Sequence, residues 1–165
     1  MAASVIALGS NMGDRLGFLR RAAHFCEGLQ AAGAPAPLNS RIYESAPIGP
    51  ADAAFLNAAL LIETPLSPFR LLRRLKAFER SEGRRPEAPR WSNRPIDLDI
   101  ITYNNRVLHT PVLHIPHNSY HLRPFVLFPL QDILPGWKDP KTGLSPARLL
   151  AAAPRMDLHP TSLHW

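Results

Sequence analysis

Apolar and polar residues recur along the chain at two spacings, one typical of strands and the other of helices. Short apolar or alternating runs predict four strands, at 4–8, 39–43, 55–63 and 96–101. Apolar residues at helical spacing predict two helices, at 15–32 and 67–83. Asp14 and Ser67 suit the N-cap positions of these helices and mark where they begin.

The resulting order is strand, helix, strand, strand, helix, strand. This order is typical of a ferredoxin-like α+β sandwich, in which an antiparallel sheet carries both helices on one face. Further along, the pattern predicts a short strand at 107–108, a helix at 123–131 and another helix after Leu144, followed by a tail. With 165 residues, the chain is expected to form a single domain over 1–165.

Two aspartates one residue apart, Asp97 and Asp99, lie in the fourth predicted strand. Successive side chains of a strand point to opposite faces, so both carboxylates share one face while Ile96, Leu98 and Ile100 occupy the other. Two carboxylates so close repel each other unless a cation compensates them. The pair therefore predicts a binding site for a divalent cation, and the alternative is an exposed edge strand with two solvated aspartates.

Arginines crowd the polar stretch just before these aspartates, at Arg84, Arg85, Arg90 and Arg94, with Trp91 among them. Mg²⁺ is bound by one or two carboxylates together with phosphate oxygens, and guanidinium groups also bind phosphate. Carboxylates and arginines together therefore indicate a site that handles phosphate. This polar stretch, residues 83–96, predicts a long loop. A loop of that length inside a compact domain is typical of a functional or a disordered segment.

The chain carries a formal net charge of +6, which favours an anionic partner. The sequence has neither a recognised nucleic-acid-binding motif nor basic residues interleaved with exposed aromatics, so nucleic acid is not expected as a partner. A local phosphate site accounts better for the arginines clustered over 70–94. Four of these arginines fall at helical spacing and are expected to form a solvated face: Arg70, Arg73, Arg74 and Arg80.

Cys26 is the single cysteine, and its place in the first predicted helix predicts a small core residue rather than a nucleophile. No disulfide can form within the chain, as is typical of proteins from a reducing compartment. No apolar run is long enough to span a membrane or to serve as a secretory signal. We therefore expect a cytoplasmic protein that does not associate with membranes.

Several blocks of sequence resemble, in order, one enzyme family. They are ALGSNMGD at 7–14, FLNA at 55–58, RPIDLDI at 94–100, PH at 116–117 and RPFVL at 123–127. They resemble hydroxymethyldihydropterin pyrophosphokinase, a family of the folate pathway, and the match runs to about residue 135. The resemblance implies transfer of the β,γ-pyrophosphoryl group of ATP to the hydroxymethyl group of 6-hydroxymethyl-7,8-dihydropterin, with AMP as the second product.

The resemblance also implies a pterin site. In the family the pterin ring lies between two aromatic rings and is hydrogen-bonded by an asparagine, and these roles fall to Phe55, Phe125 and Asn57. Phe55 stands where the family more usually has a tyrosine. The segment whose backbone reads the polar edge of the pterin corresponds to Pro47, Ile48 and Gly49.

A nucleotide site is implied in the same way. Asp97 and Asp99 would hold two Mg²⁺ ions that bridge the phosphates of ATP, and Arg84 and Arg94 would stabilise charge on the transferring group. Four further positions match residues that line the ATP site in the family: Glu79, Trp91, His117 and Arg123. The expected partners are thus two small molecules, ATP and the pterin, and the protein is expected to be a monomer.

Asn118 and Ser119 follow the Pro-His pair, where the family often has proline and arginine. Two alternatives to a working enzyme stay open. One is a non-catalytic binding module that retains the pterin or nucleotide pocket, and the other is a basic ferredoxin-like domain that binds RNA. Retention of both aspartates counts against the first, and the lack of exposed aromatics on the predicted strands counts against the second.

Overall fold

An antiparallel sheet forms the scaffold of the computed structural model, which describes residues 1–47, 49–85, 87–89 and 92–165. The strands are β1 (Ala2–Ser10), β2 (Leu38–Asn39), β3 (Tyr43–Ser45), β4 (Phe55–Thr64), β5 (Asp97–Tyr103), β6 (Leu108–His109), β7 (His114–Ile115) and β8 (Leu158–Pro160). The main sheet has the order β5-β1-β4-β3-β8, with β2 also paired to β4, while β6 and β7 form a separate hairpin.

In the part of the chain that the structure describes, four α-helices cover the two faces of this sheet. They are α1 (Arg15–Glu27), α2 (Pro68–Ser81), α3 (Pro124–Ile133) and α4 (Pro146–Ala152). Helices α1 and α2 pack on one face and α3 and α4 on the other. The order β5-β1-β4-β3 with α1 and α2 on one side confirms the predicted ferredoxin-like α+β arrangement. None of the described helices is long and apolar enough to cross a membrane.

The core consists of two apolar layers separated by the sheet. Alternate residues of β1 serve both layers: Ile6 packs with α1 and α2, whereas Val5 packs with α3. Strand β1 lies between β4 and β5, and helices cover the sheet on both sides, so side chains of β1 are buried on both faces. Full burial of each such aliphatic side chain contributes about 1.5–3 kcal/mol. Cys26 is buried in the first layer, which confirms its prediction as a core residue.

Helix α1 ends at Glu27, five residues before the predicted end. The backbone beyond it bonds to the end of β4 instead of continuing the helix. The Leu29 carbonyl accepts a hydrogen bond from the Thr64 hydroxyl at 2.7 Å, and the Ala31 N–H donates to the Glu63 carbonyl at 2.8 Å. A tertiary contact thus ends this helix, since the apolar spacing by itself would have allowed another turn.

The second predicted strand is interrupted in the structure and appears as β2 and β3. Between them, the Arg41 N–H donates to the Asp132 carboxylate of α3 at 3.1 Å rather than to a neighbouring strand. The tail beyond α4 also differs from the prediction, because it forms β8 on the free edge of β3. Trp165 anchors its end by donating from Nε1 to the Ser40 carbonyl at 2.6 Å.

Candidate active site

The alternation of β5 decides where its two aspartates point. Leu98 and Ile100 are buried in the layer beneath α1 and α2, whereas Asp97 and Asp99 lie on the opposite face and line a cleft. The aspartate side chains stay partly accessible, 26% and 30% exposed. The prediction that the two carboxylates share one face is confirmed.

Asp97 is surrounded by cations. Arg84 donates a hydrogen bond to its Oδ1, and Arg94 donates from Nη1 to its Oδ2 at 2.9 Å. The ammonium nitrogen of Lys76 lies 3.9 Å from Oδ1. The structure therefore brings Arg84 and Arg94, both expected at the phosphate site, onto a single carboxylate.

These cations control the ionisation of Asp97. Burial by itself would raise the pKa of this carboxyl, but the charges of Lys76, Arg84 and Arg94 outweigh burial and lower the pKa to about 2. Asp97 is therefore a carboxylate at every physiological pH, so an incoming cation does not have to displace a proton from it.

Glu79 accepts hydrogen bonds from two of these cations, Lys76 and Arg84. Its side chain is only 2% exposed, and its Oε1 accepts from the Lys76 ammonium at 2.7 Å and from the Leu98 N–H at 2.6 Å. Its Oε2 accepts from Arg84 Nη1 at 2.6 Å. Glu79 was expected to line the nucleotide site, but it lies behind the aspartates and positions Lys76 and Arg84.

Asp99 has different neighbours from Asp97. The Lys76 ammonium lies 3.4 Å from its Oδ1, and Nε2 of His117 lies 3.9 Å from its Oδ2. His117 accepts the Ser119 N–H on Nδ1, so its neutral ring carries the proton on Nε2, facing Asp99. Burial lowers the pKa of His117, and the charge of Arg123 lowers it further against the pull of Asp99. This ring is therefore neutral at pH 7.

The cleft beside the aspartates has an apolar, aromatic part. Phe55, at the start of β4, and Phe125, in the first turn of α3, both line it. The cleft encloses about 570 Å³ of empty space, open solvent at its mouth included. Arg123 also lines the cleft, with its guanidinium carbon 5.9 Å from the centre of the Phe125 ring. The structure thus places the two predicted stacking rings and one predicted nucleotide-binding arginine in the same cleft as the aspartates.

Asn57, 4% exposed, is a buried polar residue of this cleft, as is Ser45. Its Nδ2 donates to the hydroxyl of Ser45 on the adjacent strand β3 at 2.8 Å. Gly9 of β1 lies alongside, and a Cβ atom there would come within 3.8 Å of Asn57 Oδ1 and 3.9 Å of the Phe55 ring. Glycine therefore keeps space open between the asparagine amide and the aromatic ring.

A second, more open hollow adjoins the first and shares Arg94 with it. It is bounded mainly by the loop between α2 and β5, including Arg84 and Arg85, and by Met12 and Pro50. Its arginines make it suited to a polyanion such as a nucleotide polyphosphate. The first hollow thus combines an aromatic part with Asp97 and Asp99, the second is basic, and Arg94 lines both.

Asn93 ties together the loops that border this second hollow. Its Oδ1 accepts from Asn11 Nδ2 at 2.8 Å, and its Nδ2 donates to Asp52 Oδ1 at 2.5 Å. Asn11 also accepts the Arg94 N–H on Oδ1 at 2.7 Å. We call Asn11, Asn93 and Asp52 the loop clamp, because these side chains join the turn after β1 to the loops before β4 and β5.

Two expected pterin contacts are not brought to the cleft. Pro47 and Gly49 are exposed and are not among the described residues that line it. Gly49 has a positive φ of 62°, so the chain turns at this point, in a conformation that glycine adopts without strain. Ile48, expected at the pterin site, and Trp91, expected at the nucleotide site, lie outside the described residues.

Three contributors to the site were missed from the sequence. Lys76 belongs to the polar face of α2, and its spacing of three residues from Glu79 was the available signal. Ser45 lies in a short strand and Asn93 in a polar loop, and neither shows a sequence pattern that indicates a functional role. Ser45 and Asn93 act through partners distant in sequence, and so does Lys76 in its contacts with Leu98 and Asp99; a local pattern does not reveal such contacts. By contrast, the predicted solvated arginines Arg70, Arg73, Arg74 and Arg80 are all exposed.

The donor set has the chemistry that a hard divalent cation requires. Asp97 and Asp99 present carboxylate oxygens on one wall of the cleft, and Mg²⁺ is usually held by one or two carboxylates with phosphate and water oxygens completing its shell. Two carboxylates leave most of the shell of such an ion to other oxygen donors, so the residues present fit an ion bound jointly with a phosphate ligand.

Paired carboxylates and guanidiniums next to an aromatic cleft are chemically suited to an enzyme that transfers phosphate groups. The family model for 7,8-dihydro-6-hydroxymethylpterin-pyrophosphokinase matches residues 5–135. The chain belongs to this family and is a pyrophosphokinase.

Curated relatives agree with the family match. The chain is 37% identical over 147 residues to the 2-amino-4-hydroxy-6-hydroxymethyldihydropteridine pyrophosphokinase of Synechocystis, covering 89% of this chain and 74% of the relative. It is 43% identical over 129 residues to the enzyme of the same name from Bacillus subtilis, covering 78% of this chain and 75% of the relative.

Solved structures support the fold. A Plasmodium falciparum HPPK-DHPS structure superposes with a TM-score of 0.66 at 15% identity, covering 92% of this chain and 43% of that chain. A second HPPK-DHPS structure gives a TM-score of 0.69, also at 15% identity, with the same coverage. The chain therefore spans less than half of these longer proteins.

The lowered pKa of Asp97 predicts how acid affects stability. The carboxyl titrates near its ordinary value of 3.8 in the unfolded chain and at about 2 in the folded protein. The unfolded state therefore takes up the proton first, so the stabilisation is complete above about pH 4 and is lost as the pH falls towards about 2. Asp97→Asn should flatten the decline of the unfolding free energy over this range, measured by urea denaturation at each pH. The exposed Asp157→Asn variant is the control, and equal flattening in both would contradict the assignment.

The loop clamp predicts local protection from solvent. The Asp52 N–H donates to Asn93 Oδ1 at 3.4 Å, and the clamp holds the loops that carry both residues. Asn93→Ala should raise the hydrogen-exchange rate of the Asp52 amide by about tenfold, since hydrogen bonds contribute about 0.5–1.5 kcal/mol each. Amide exchange followed by NMR measures this. Asn105→Ala, at an exposed turn, should leave the rate unchanged, and an unaltered Asp52 amide in Asn93→Ala would show that the clamp does not hold these loops.

Proposed function

We propose that this chain transfers the β,γ-pyrophosphoryl group of ATP to the hydroxymethyl oxygen of 6-hydroxymethyl-7,8-dihydropterin, giving the pterin pyrophosphate and AMP in folate biosynthesis. The observation that carries the proposal is one cleft lined both by Phe55, Asn57 and Phe125 and by Asp97 and Asp99. A flat ring held by the first group would present its substituent to the second. Membership of the pyrophosphokinase family supports the same reaction.

The aromatic part of the cleft suits the pterin. A ring between Phe55 and Phe125 gains stacking and buried area, and the buried Asn57 amide supplies directional hydrogen bonds to a heterocycle edge. The bond between Asn57 and Ser45 fixes the orientation of that amide. Phe55 has no hydroxyl, so it contributes stacking without a hydrogen bond. Pro47, Ile48 and Gly49 are candidates for binding the pterin edge on the family resemblance alone, because Pro47 and Gly49 do not line the cleft.

The charged part suits the transferring group. In an in-line displacement, the hydroxymethyl oxygen attacks the β-phosphorus while the bond to the oxygen bridging the α-phosphorus breaks, and AMP leaves. Such a reaction needs positioning and charge stabilisation more than covalent catalysis. Arg84 and Arg94 are held at Asp97 and would bind the equatorial phosphate oxygens, while His117 and Arg123 would bind the nucleotide phosphates from the side of α3.

Asp97 and Asp99 are the residues that would hold Mg²⁺, with two ions as the proposed number. When bound, these ions supply Lewis acids that neutralise phosphate oxygens and orient ATP. The low pKa of Asp97 keeps its carboxylate available over the whole physiological range. Glu79, buried behind the pair, keeps Arg84 directed towards the phosphate side.

Product analysis tests the reaction directly. Incubation of the protein with MgATP should release AMP when hydroxymethyldihydropterin is present, should release none when it is absent, and should stop on addition of EDTA. Asp99→Asn should lower the rate by two or more orders of magnitude, in line with loss of charge stabilisation at a phosphoryl centre, whereas the exposed Asp157→Asn should retain it. Formation of ADP would identify an ordinary kinase, and pterin binding without turnover would identify a non-catalytic binding module.

Removal of one stacking ring tests the pterin site. Phe125→Ala should weaken pterin binding by about tenfold or more, because it removes stacking worth about 0.5–1.5 kcal/mol together with buried area. Titration of the pterin by calorimetry, with circular dichroism to check folding, measures the change. Phe69→Ala is the matched control, since Phe69 is exposed on α2. An unchanged pterin affinity in Phe125→Ala would return this ring to a purely structural role.

A further inference from the structure

The charges of the side chains around the aspartate pair cancel one another. Three carboxylates and three cations lie in one connected cluster: Glu79, Asp97, Asp99, Lys76, Arg84 and Arg94. A proposed Mg²⁺ site would ordinarily carry net negative charge, because a divalent cation is attracted by uncompensated carboxylates. Here an incoming ion meets a cluster that is already neutral.

Lys76 occupies a distinct place in this cluster. Arg84 and Arg94 both bind Asp97, whereas the Lys76 ammonium reaches Asp99 at 3.4 Å and lies 3.9 Å from Asp97. It therefore faces both of the carboxylates that would ligate a metal. A divalent ion bound by the pair would lie within a few ångströms of this ammonium, and like charges at such a distance repel strongly.

The position of this lysine is fixed by its surroundings. Its ammonium donates to Glu79 Oε1 and to the Leu98 carbonyl, each at 2.7 Å, and its side chain is 31% exposed. Leu98 lies between the two aspartates in β5, so this bond places Lys76 against the strand that carries them. A solvated surface lysine would not have two short, partly buried acceptors.

We propose that Lys76 is a resident counter-cation of the aspartate pair, which opposes binding of a divalent ion until the phosphates of a nucleotide bring compensating negative charge. This inference rests on the proposed function, because it takes Asp97 and Asp99 as the metal ligands. Its consequence is that metal and nucleotide bind together: the free protein binds the ion weakly, and the polyphosphate offsets the repulsion from Lys76. Lys76 is therefore a positioning residue that couples the two ligands.

Mn²⁺ serves as the probe, because the electron paramagnetic resonance signal of the free ion measures its binding without any turnover. In the absence of nucleotide, Lys76→Gln should bind Mn²⁺ about tenfold or more tightly than the unaltered protein, since one nearby positive charge is removed. Lys76→Arg retains the charge and should bind Mn²⁺ as the unaltered protein does. A non-hydrolysable ATP analogue should narrow the difference between Lys76→Gln and the unaltered protein.

Two further variants test the location of the effect. Lys141→Gln removes the same charge from an exposed position and should leave Mn²⁺ affinity unchanged. Asp99→Asn, combined with Lys76→Gln, should abolish the increase in Mn²⁺ affinity that Lys76→Gln alone produces. The proposal is overturned if Lys76→Gln binds Mn²⁺ no more tightly than the unaltered protein, or if Lys141→Gln shows the same gain. Lys76→Met, which keeps the aliphatic stem, gives the same comparison if the glutamine variant unfolds.

This experiment is independent of the reaction. If the AMP assay fails but Lys76→Gln still binds Mn²⁺ more tightly than the unaltered protein, the proposed activity is rejected and the counter-cation role stands. Normal AMP release with unchanged Mn²⁺ affinity in Lys76→Gln would reject the counter-cation and leave the activity intact.

Discussion

Burial of Leu98 and Ile100 beneath α1 and α2 fixes where Asp97 and Asp99 point. A strand has only two faces, so once the aliphatic residues of β5 enter the core, the aspartates must occupy the opposite side. A shift of one residue in the pairing of β5 with β1 would bury both carboxylates and expose the aliphatic residues. The hydrophobic free energy of the core therefore decides on which face of β5 the two carboxylates lie.

The charged cluster can exist at this position because each charge has a partner. A buried carboxylate such as Glu79 is costly unless it is paired and hydrogen-bonded, and its oxygens accept from Lys76, Arg84 and the Leu98 N–H. The last of these bonds links the cluster to the backbone of β5. Packing and electrostatics are thus joined in the same short segment, which gives the aspartates, their cations and the strand one common geometry.

The second helical layer completes the cleft. Helix α3 packs on the face of the sheet opposite α1 and α2, and its first turn brings Phe125 to the cleft lined by Phe55 of β4. The loop clamp joins three loops on the neighbouring basic hollow. A ferredoxin-like unit alone would present the aspartates on an open sheet face, whereas α3 and the clamped loops convert that face into two adjoining hollows. In the proposed function, these features would let a flat molecule and a polyphosphate meet at the aspartates.

Local sequence determined a large part of this protein. The alternation around Asp97 and Asp99, the spacing of apolar residues in α1 and α2, and the order of elements were sufficient to predict the sheet, its first helical layer and the shared face of the carboxylates. The resemblance of several blocks to one enzyme family indicated the roles expected for Phe55, Asn57 and Phe125. These features depend on residues a few positions apart, or on motifs read directly, so they require no knowledge of the packing.

Tertiary structure alone decided the rest. The early end of α1, the break between β2 and β3, and the strand β8 all arise from hydrogen bonds between residues far apart in the chain. The place of Lys76 between Glu79 and Asp99, the bond of Ser45 to Asn57 and the loop clamp through Asn93 have the same origin. Local periodicity specifies which face of an element is apolar, but it does not specify which polar side chains of other elements arrive at the opposite face. That is settled only when the layers pack and each buried charge and amide finds its partner.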